Sequence, residues 1–118
     1  MNITPLIPDL VAIERCLRKY DFHHQADIIS TLITAISNQT ADHIAMLHSI
    51  GIWGGSGAVW EVGPFYTKNG HISSEDTIAF EKAFIALVGK MNRLKIANDR
   101  ELFVATTFEK WIEDDVWN

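Results

Sequence analysis

The sequence predicts a mainly helical α+β domain, with about five helices and one small β-hairpin around residues 58–72, after the third helix. Apolar residues recur at three- and four-residue steps over most of the chain, which is the spacing of one helix face. This pattern stops once, at a glycine-rich segment that is followed by an apolar, β-favouring run. A chain of 118 residues is long enough to bury one core, so we predict a single domain over residues 1–118.

The first two helices are predicted from their apolar stripes. Pro5 and Pro8 suit the first turn of a helix, and apolar side chains then recur from residue 6 to residue 20. A second stripe, wide enough for a central helix, runs over residues 23–37. Because the link at residues 20–22 is short, the two helices are expected to form an antiparallel hairpin.

Capping residues mark the other three helices. The third is predicted over about residues 40–51, with a polar cap at its start and a glycine at its end. The fourth covers about residues 73–93 and is capped by one of two adjacent serines. Asn98 with Glu101 has the spacing of a reciprocal capping pair, so the last helix is expected to begin there.

The glycine-rich segment is predicted to lead into a strand, which either begins the small hairpin or is followed by a loop. Residues 58–62 favour a strand, and Asn69-Gly70 is a tight-turn signal further on. Alternation along that strand would turn Trp60 towards the core and Glu61 outward. Glu61 is then a solvent-facing carboxylate, or one that is fixed by loop amides or offered to a cation of a partner. The residues assigned to the structural loop are Gly54, Gly55, Ser56, Gly57 and Trp60.

Element order argues against catalytic uses of this loop. Dinucleotide and nucleophile-elbow motifs need a strand before the turn and a helix after it, whereas the predicted order here is helix, glycines, strand. The five histidines lack metal-binding spacings, and Cys16 is the only cysteine. We therefore predict a non-enzymatic protein with no catalytic residue, no metal and no cofactor.

The net charge and the first residues of the chain indicate which partners and which compartment to expect. A formal charge of −5 disfavours nucleic acid and anionic membranes as partners, and it is compatible with a basic protein partner. The first eight residues lack the pattern of a secretory signal, and no apolar run is long enough to span a bilayer. We therefore expect a cytoplasmic protein.

The run over residues 54–62 resembles a motif of small, mostly helical bacterial proteins of uncharacterised function. In those proteins a helical hairpin precedes Gly-Gly-x-Gly-Ser, an apolar residue, a polar residue and an aspartate. A short strand, a turn and a long helix then follow. This sequence keeps the glycine pair and Gly57, has Ala58 in place of the serine, and carries Glu61 close to the expected aspartate. The similarity covers roughly residues 6–93. Such proteins resemble the immunity proteins found beside polymorphic or contact-dependent toxins, which implies an antitoxin that occludes the active site of a cognate protein toxin.

The interpretation as an immunity protein predicts an acidic and aromatic binding surface for a toxin such as a basic nuclease domain. Tryptophan is over-represented at binding hot spots, and carboxylates complement a basic cleft. The candidate contacts are Trp53, Glu61, Tyr66, Glu75, Asp76, Asp114, Asp115 and Trp117. Two alternatives remain: a self-associating adaptor that dimerises through the stripes of its second and fourth helices, and a small-ligand protein that uses the glycine loop.

Overall fold

The computed structural model describes residues 1–68 and 70–117, with the side chains of residues 64, 65, 66 and 68 left out. Every regular element in this part is helical. A 3-10 turn, Thr4–Leu6, leads into the α-helices, whose bounds are α1 Ile7–Lys19, α2 His23–Asn38, α3 His43–Leu47, α4 Ile50–Trp53, α5 Val59–Lys68, α6 Ser74–Arg93 and α7 Asp99–Glu113.

The predicted hairpin of the first two helices is confirmed as α1 and α2. The chain reverses at Asp21, whose φ of 64° is left-handed, and the Phe22 amide donates to the Leu17 carbonyl at 2.9 Å. Helix α6 also packs against α1, and α7 packs against α6. Helices α1 and α6 therefore lie in the middle of the bundle.

Phe84 on α6 is the centre of an aromatic core. Its ring is fully buried and lies 5.2 Å from Phe80, 5.4 Å from Trp53 and 5.8 Å from Phe108, measured between ring centroids. These contacts join α4, α6 and α7. Edge-to-face and tilted rings at such distances stabilise a core beyond the area that they bury.

The predicted α+β class is wrong, because the described residues contain no β-hairpin around 58–72. Residues 59–68 form α5 instead. Val59, Val62 and Gly63 are all buried, and they lie at i, i+3 and i+4 on one helix face. A strand would have placed Val59 and Gly63 on the outward face, so packing overrides the β-propensity of this run. Of the predicted Asn69-Gly70 turn, Asn69 lies outside the described residues and Gly70 has a φ of 74°.

The predicted third helix is divided in two. A break at residues 48 and 49 separates α3 from α4, and Ile50 at the start of α4 is 86% exposed. The other two starts are confirmed. The Ser73 side chain accepts from the Asp76 amide at 3.1 Å, and Asn98 with Glu101 forms both bonds of a capping box.

Replacement of glycine by alanine is expected to change the free energy of unfolding in opposite directions at two helical positions, Gly63 and Gly89. A Cβ on Gly63 would lie 3.0 Å from Cδ1 of Phe80, so Gly63→Ala is expected to lower the free energy of unfolding by about 1–2 kcal/mol. A Cβ on Gly89 would meet only Nη1 of Arg93, at 3.7 Å, so Gly89→Ala is expected to raise it by about 0.5–1 kcal/mol. Urea denaturation of both variants checks this, and equal shifts would contradict the close packing of α5 on α6.

Candidate functional site

The glycine segment is a short connection that is tied down at its first residue. The Gly54 carbonyl accepts from the Trp60 indole N–H at 2.6 Å and from the Arg100 guanidinium at 3.1 Å. The same guanidinium donates through Nε to the Trp53 carbonyl at 2.8 Å. Beyond this anchor the loop is exposed, and Gly57 has a φ of 85°, which a glycine adopts without strain.

Arg100, in the first turn of α7, anchors the glycine loop, and this role was not predicted from the sequence. Its guanidinium lies 5.2 Å from the ring centroid of Trp60 and 5.6 Å from that of Phe103, so it is held between two aromatic side chains. One feature of the sequence could have indicated this role: Arg100 is a cation in the first turn of α7, where the helix dipole disfavours positive charge. An arginine at such a position needs compensating contacts, and the exposed carbonyls at the end of α4 supply them.

The two tryptophans proposed as surface anchors are buried in the structure. Trp53 is 3% exposed, and its indole donates to the Leu47 carbonyl at 2.7 Å. Trp117 is 7% exposed, and its ring packs edge-on against Trp111. The expectation that they offer binding surface is therefore wrong, since both side chains serve the core.

Glu61 and Tyr66 lie on α5 rather than on a strand. Glu61 is half-buried in the first turn of α5, where the helix dipole favours a carboxylate. Within the described part of the chain its side chain has neither a hydrogen bond nor an ion pair, so the expected contact with the loop amides is not formed. The side chain of Tyr66 lies outside the described residues.

Asp76 connects two helices. Its carboxylate accepts from Lys19 Nζ at 2.8 Å and from the Tyr20 hydroxyl, which joins the end of α1 to the start of α6. These bonds to Lys19 and Tyr20 lower the pKa of Asp76. Its carboxylate is thus engaged within the chain before any partner binds.

The last residues fold back onto the start of α6 and collect acidic side chains at one end of the molecule. The Ser74 hydroxyl donates to the Trp117 carbonyl, which brings the segment after α7 to the start of α6, where Glu75 is the next residue. Glu75 and residues 113–115 are exposed, and the neighbouring Val116 is 46% exposed. We call this surface the acidic edge, and it consists of Glu75, Glu113, Asp114, Asp115 and Val116.

Lysines and a shallow groove border the acidic edge. Lys110 lies 3.4 Å from the Asp114 carboxylate, an exposed pair that stabilises little. An open groove of about 410 Å³ runs along α6 and is lined by Glu75, Ile78, Ala79 and Lys82. Carboxylates beside an apolar groove suit recognition of a basic surface with some apolar contact.

A buried carboxylate–histidine pair joins α3 to α7. The fully buried Glu101 carboxylate lies 2.5 Å from Nδ1 of the half-buried His48, while its other oxygen accepts from the Asn98 amide at 2.9 Å. A carboxylate can orient a histidine for proton transfer. No described hydroxyl or thiol is hydrogen-bonded to His48, however, so the pair is interpreted as structural.

The described residues form neither a metal site nor a membrane span. Among the described side chains, no group of three or more His, Cys, Asp or Glu is placed to hold a metal ion. None of the described helices combines the length and apolar character that a membrane span requires. No protein-family model, curated protein or solved structure matches the chain. Support for a function therefore comes from the geometry of the acidic edge.

Proposed function

We propose that the protein is a non-enzymatic, cytoplasmic immunity protein that binds a cognate bacterial toxin and occludes its active site. The observation that supports this most is the acidic edge, where the folded-back C-terminal residues place their carboxylates beside Glu75 and an apolar groove. Two stretches far apart in the sequence contribute carboxylates to this surface. Such an arrangement suits a basic protein partner.

The proposed mechanism is electrostatic occlusion of a nuclease-type cleft. A cleft that binds phosphates is lined by lysine and arginine, and carboxylates on a folded inhibitor compete for those cations. The net charge of −5 speeds the encounter with such a toxin. Ile78 and Val116 add apolar area next to the carboxylates.

The apolar helix faces that were proposed for self-association are buried within the same chain. The stripes of the second and fourth predicted helices correspond to one face of α2 and one face of α6. Ile29, Leu32, Phe84 and Leu87 on these faces are buried against other helices of the same chain. A dimer built on them would require the core to open, so this alternative is not proposed further.

The test is binding to the protein encoded by the adjacent gene, by co-expression, pull-down and titration calorimetry. Asp114→Asn/Asp115→Asn is expected to weaken binding about 10-fold at low salt, mainly through a slower association rate. The fold should tolerate this change, because carboxylates at the C-terminal end of α7 oppose the helix dipole.

The matched control removes two carboxylates at the other end of the molecule. Asp42 and Asp99 are exposed and lie near the starts of α3 and α7, so Asp42→Asn/Asp99→Asn makes the same charge change away from the acidic edge. It should leave the affinity within about 2-fold, the scale of a screened long-range effect. Equal losses in both variants would argue for net charge alone, and no binding by the wild type would remove the proposed function.

A further inference from the structure

Glu81 on α6 is a buried carboxyl group whose described hydrogen-bond donor comes from the end of the chain. Its side chain is fully buried, and the indole N–H of Trp117 lies 3.0 Å from one carboxyl oxygen and 3.1 Å from the other. The Ser74 hydroxyl donates to the Trp117 carbonyl, and the Trp117 ring packs on Trp111 at 5.7 Å. The contacts with Glu81 and Ser74 hold the C-terminal residues on α6, and the contact with Trp111 packs the ring on α7.

No described cation balances a charge on Glu81. The charged and titratable groups on the neighbouring elements include Glu75, Asp76 and Lys82 on α6, His71 before it, Cys16 and Lys19 on α1 with Tyr20 after it, Glu61 on α5, Lys110 and Glu113 on α7, and Asp114 and Asp115 after it. Lys19 and Lys110 are within ion-pair distance of Asp76 and Asp114, and among the described side chains none pairs with Glu81. Burial raises the pKa of Glu81 to about 7, and the hydrogen bond from Trp117 offsets this only in part.

We propose that residues 114–117 are a pH-dependent latch, which is closed on α6 at acidic pH and opens as the pH rises through neutrality. A carboxyl group can remain uncharged beneath Trp117, but a carboxylate there needs water or a cation. Movement of Trp117 out of its site admits water to Glu81. Ionisation and release of the C-terminal residues are therefore linked.

The direction of this linkage follows from the two states of Glu81. In the closed state its pKa is about 7, whereas in the open, hydrated state it returns towards 4.5. Between these values the closed state holds more protons, so closure is strongest below pH 4.5 and is lost as the pH rises through 7. Two to three pKa units correspond to an increase on the order of 100-fold in the opening constant between pH 4.5 and 8.

Opening would also change the acidic edge. Release of Trp117 removes the bond that ties residues 114–116 to the start of α6, and only their backbone bonds to the end of α7 then hold them near Glu75. This consequence for partner binding rests on the proposed function. The latch itself does not, and it is measured on the free protein with no partner present, so the two proposals fail separately.

The test uses the exchange of tryptophan indole protons, measured by NMR from pH 5 to pH 8.5 and corrected for the intrinsic exchange rate. The protection of the Trp117 indole is expected to fall on the order of 100-fold over this range. Trp53 and Trp60 are internal controls, because their indoles donate to the backbone carbonyls of Leu47 and Gly54, which do not titrate. Their protection should stay constant.

Two variants separate the latch from general pH effects. Glu81→Gln keeps an acceptor for the indole but cannot ionise, so Trp117 protection should become flat with pH. Asp99→Asn removes an exposed carboxylate at the opposite end of α7 and should keep the wild-type profile.

A direct carboxyl titration covers the case in which Glu81→Gln fails to fold. In wild-type protein labelled at the side-chain carboxyl carbons, one glutamate should titrate near pH 7 together with the loss of Trp117 protection. The latch is overturned if every glutamate titrates below pH 5.5. It is also overturned if Trp117 protection is constant, or if it rises with pH.

Discussion

Replacing Gly54 with alanine is expected to lower the free energy of unfolding by about 3 kcal/mol, since its Cβ has no space. That atom would lie 2.5 Å from the carbonyl oxygen of Ile50. The oxygen belongs to the backbone and already accepts the Gly54 amide at 2.8 Å, so it cannot rotate away as a side chain would. Relief requires Gly54 to move, which would break the bonds from Trp60 and Arg100 to its carbonyl.

Gly55→Ala is the matched control, because a Cβ on Gly55 meets nothing within 4 Å. Its effect is expected to stay within about 0.5 kcal/mol, as for most exposed positions. Urea denaturation of both variants gives the comparison. If the two alanines cost the same, the glycine at residue 54 would serve chain flexibility rather than close approach.

The helices that the sequence predicted well are those whose signals are local. The stripe of α2 and the capping box of Asn98 and Glu101 depend on residues three or four positions apart, which a sequence displays directly. Helix α5 was missed because two signals gave opposite answers. The valines around Trp60 favour a strand by type, but they are spaced for a helix whose face is completed by Gly63 against the Phe80 ring. That ring is 17 residues away, so the deciding contact is not local.

The candidate site also has features that the sequence shows directly and features that depend on contacts between distant residues. Charge at Glu75, Asp114 and Asp115 is evident from composition, but their proximity depends on the contacts of Trp117 with α6. Trp117 was expected on a binding surface because tryptophan is over-represented at binding hot spots. Its indole instead needed a buried acceptor, and Glu81 supplies one from 36 positions away. A glutamate within the apolar stripe of α6 was the signal for such a partner.

Glu101 is the second position where a substitution is expected to have a large effect. Glu101→Ala should lower the free energy of unfolding by about 3 kcal/mol, because removing one member of a buried hydrogen-bonded pair leaves the other groups unsatisfied. The carboxylate is fully buried and serves the Asn98 amide and His48 at once. Its loss removes the capping box of α7 and the contact between α7 and the residues before α4.

Glu101→Gln distinguishes hydrogen bonding from charge. Its amide oxygen can still accept from the Asn98 amide and its NH₂ can donate to His48, so a loss of only about 1 kcal/mol is expected. A double-mutant cycle with His48→Ala measures the pair itself, and a coupling of about 1–3 kcal/mol is expected for groups in direct contact. If Glu101→Ala costs less than 1 kcal/mol, or if the cycle shows no coupling, the bond to His48 contributes nothing to stability. In that case the first turn of α7 would be held against α4 by Arg100 instead.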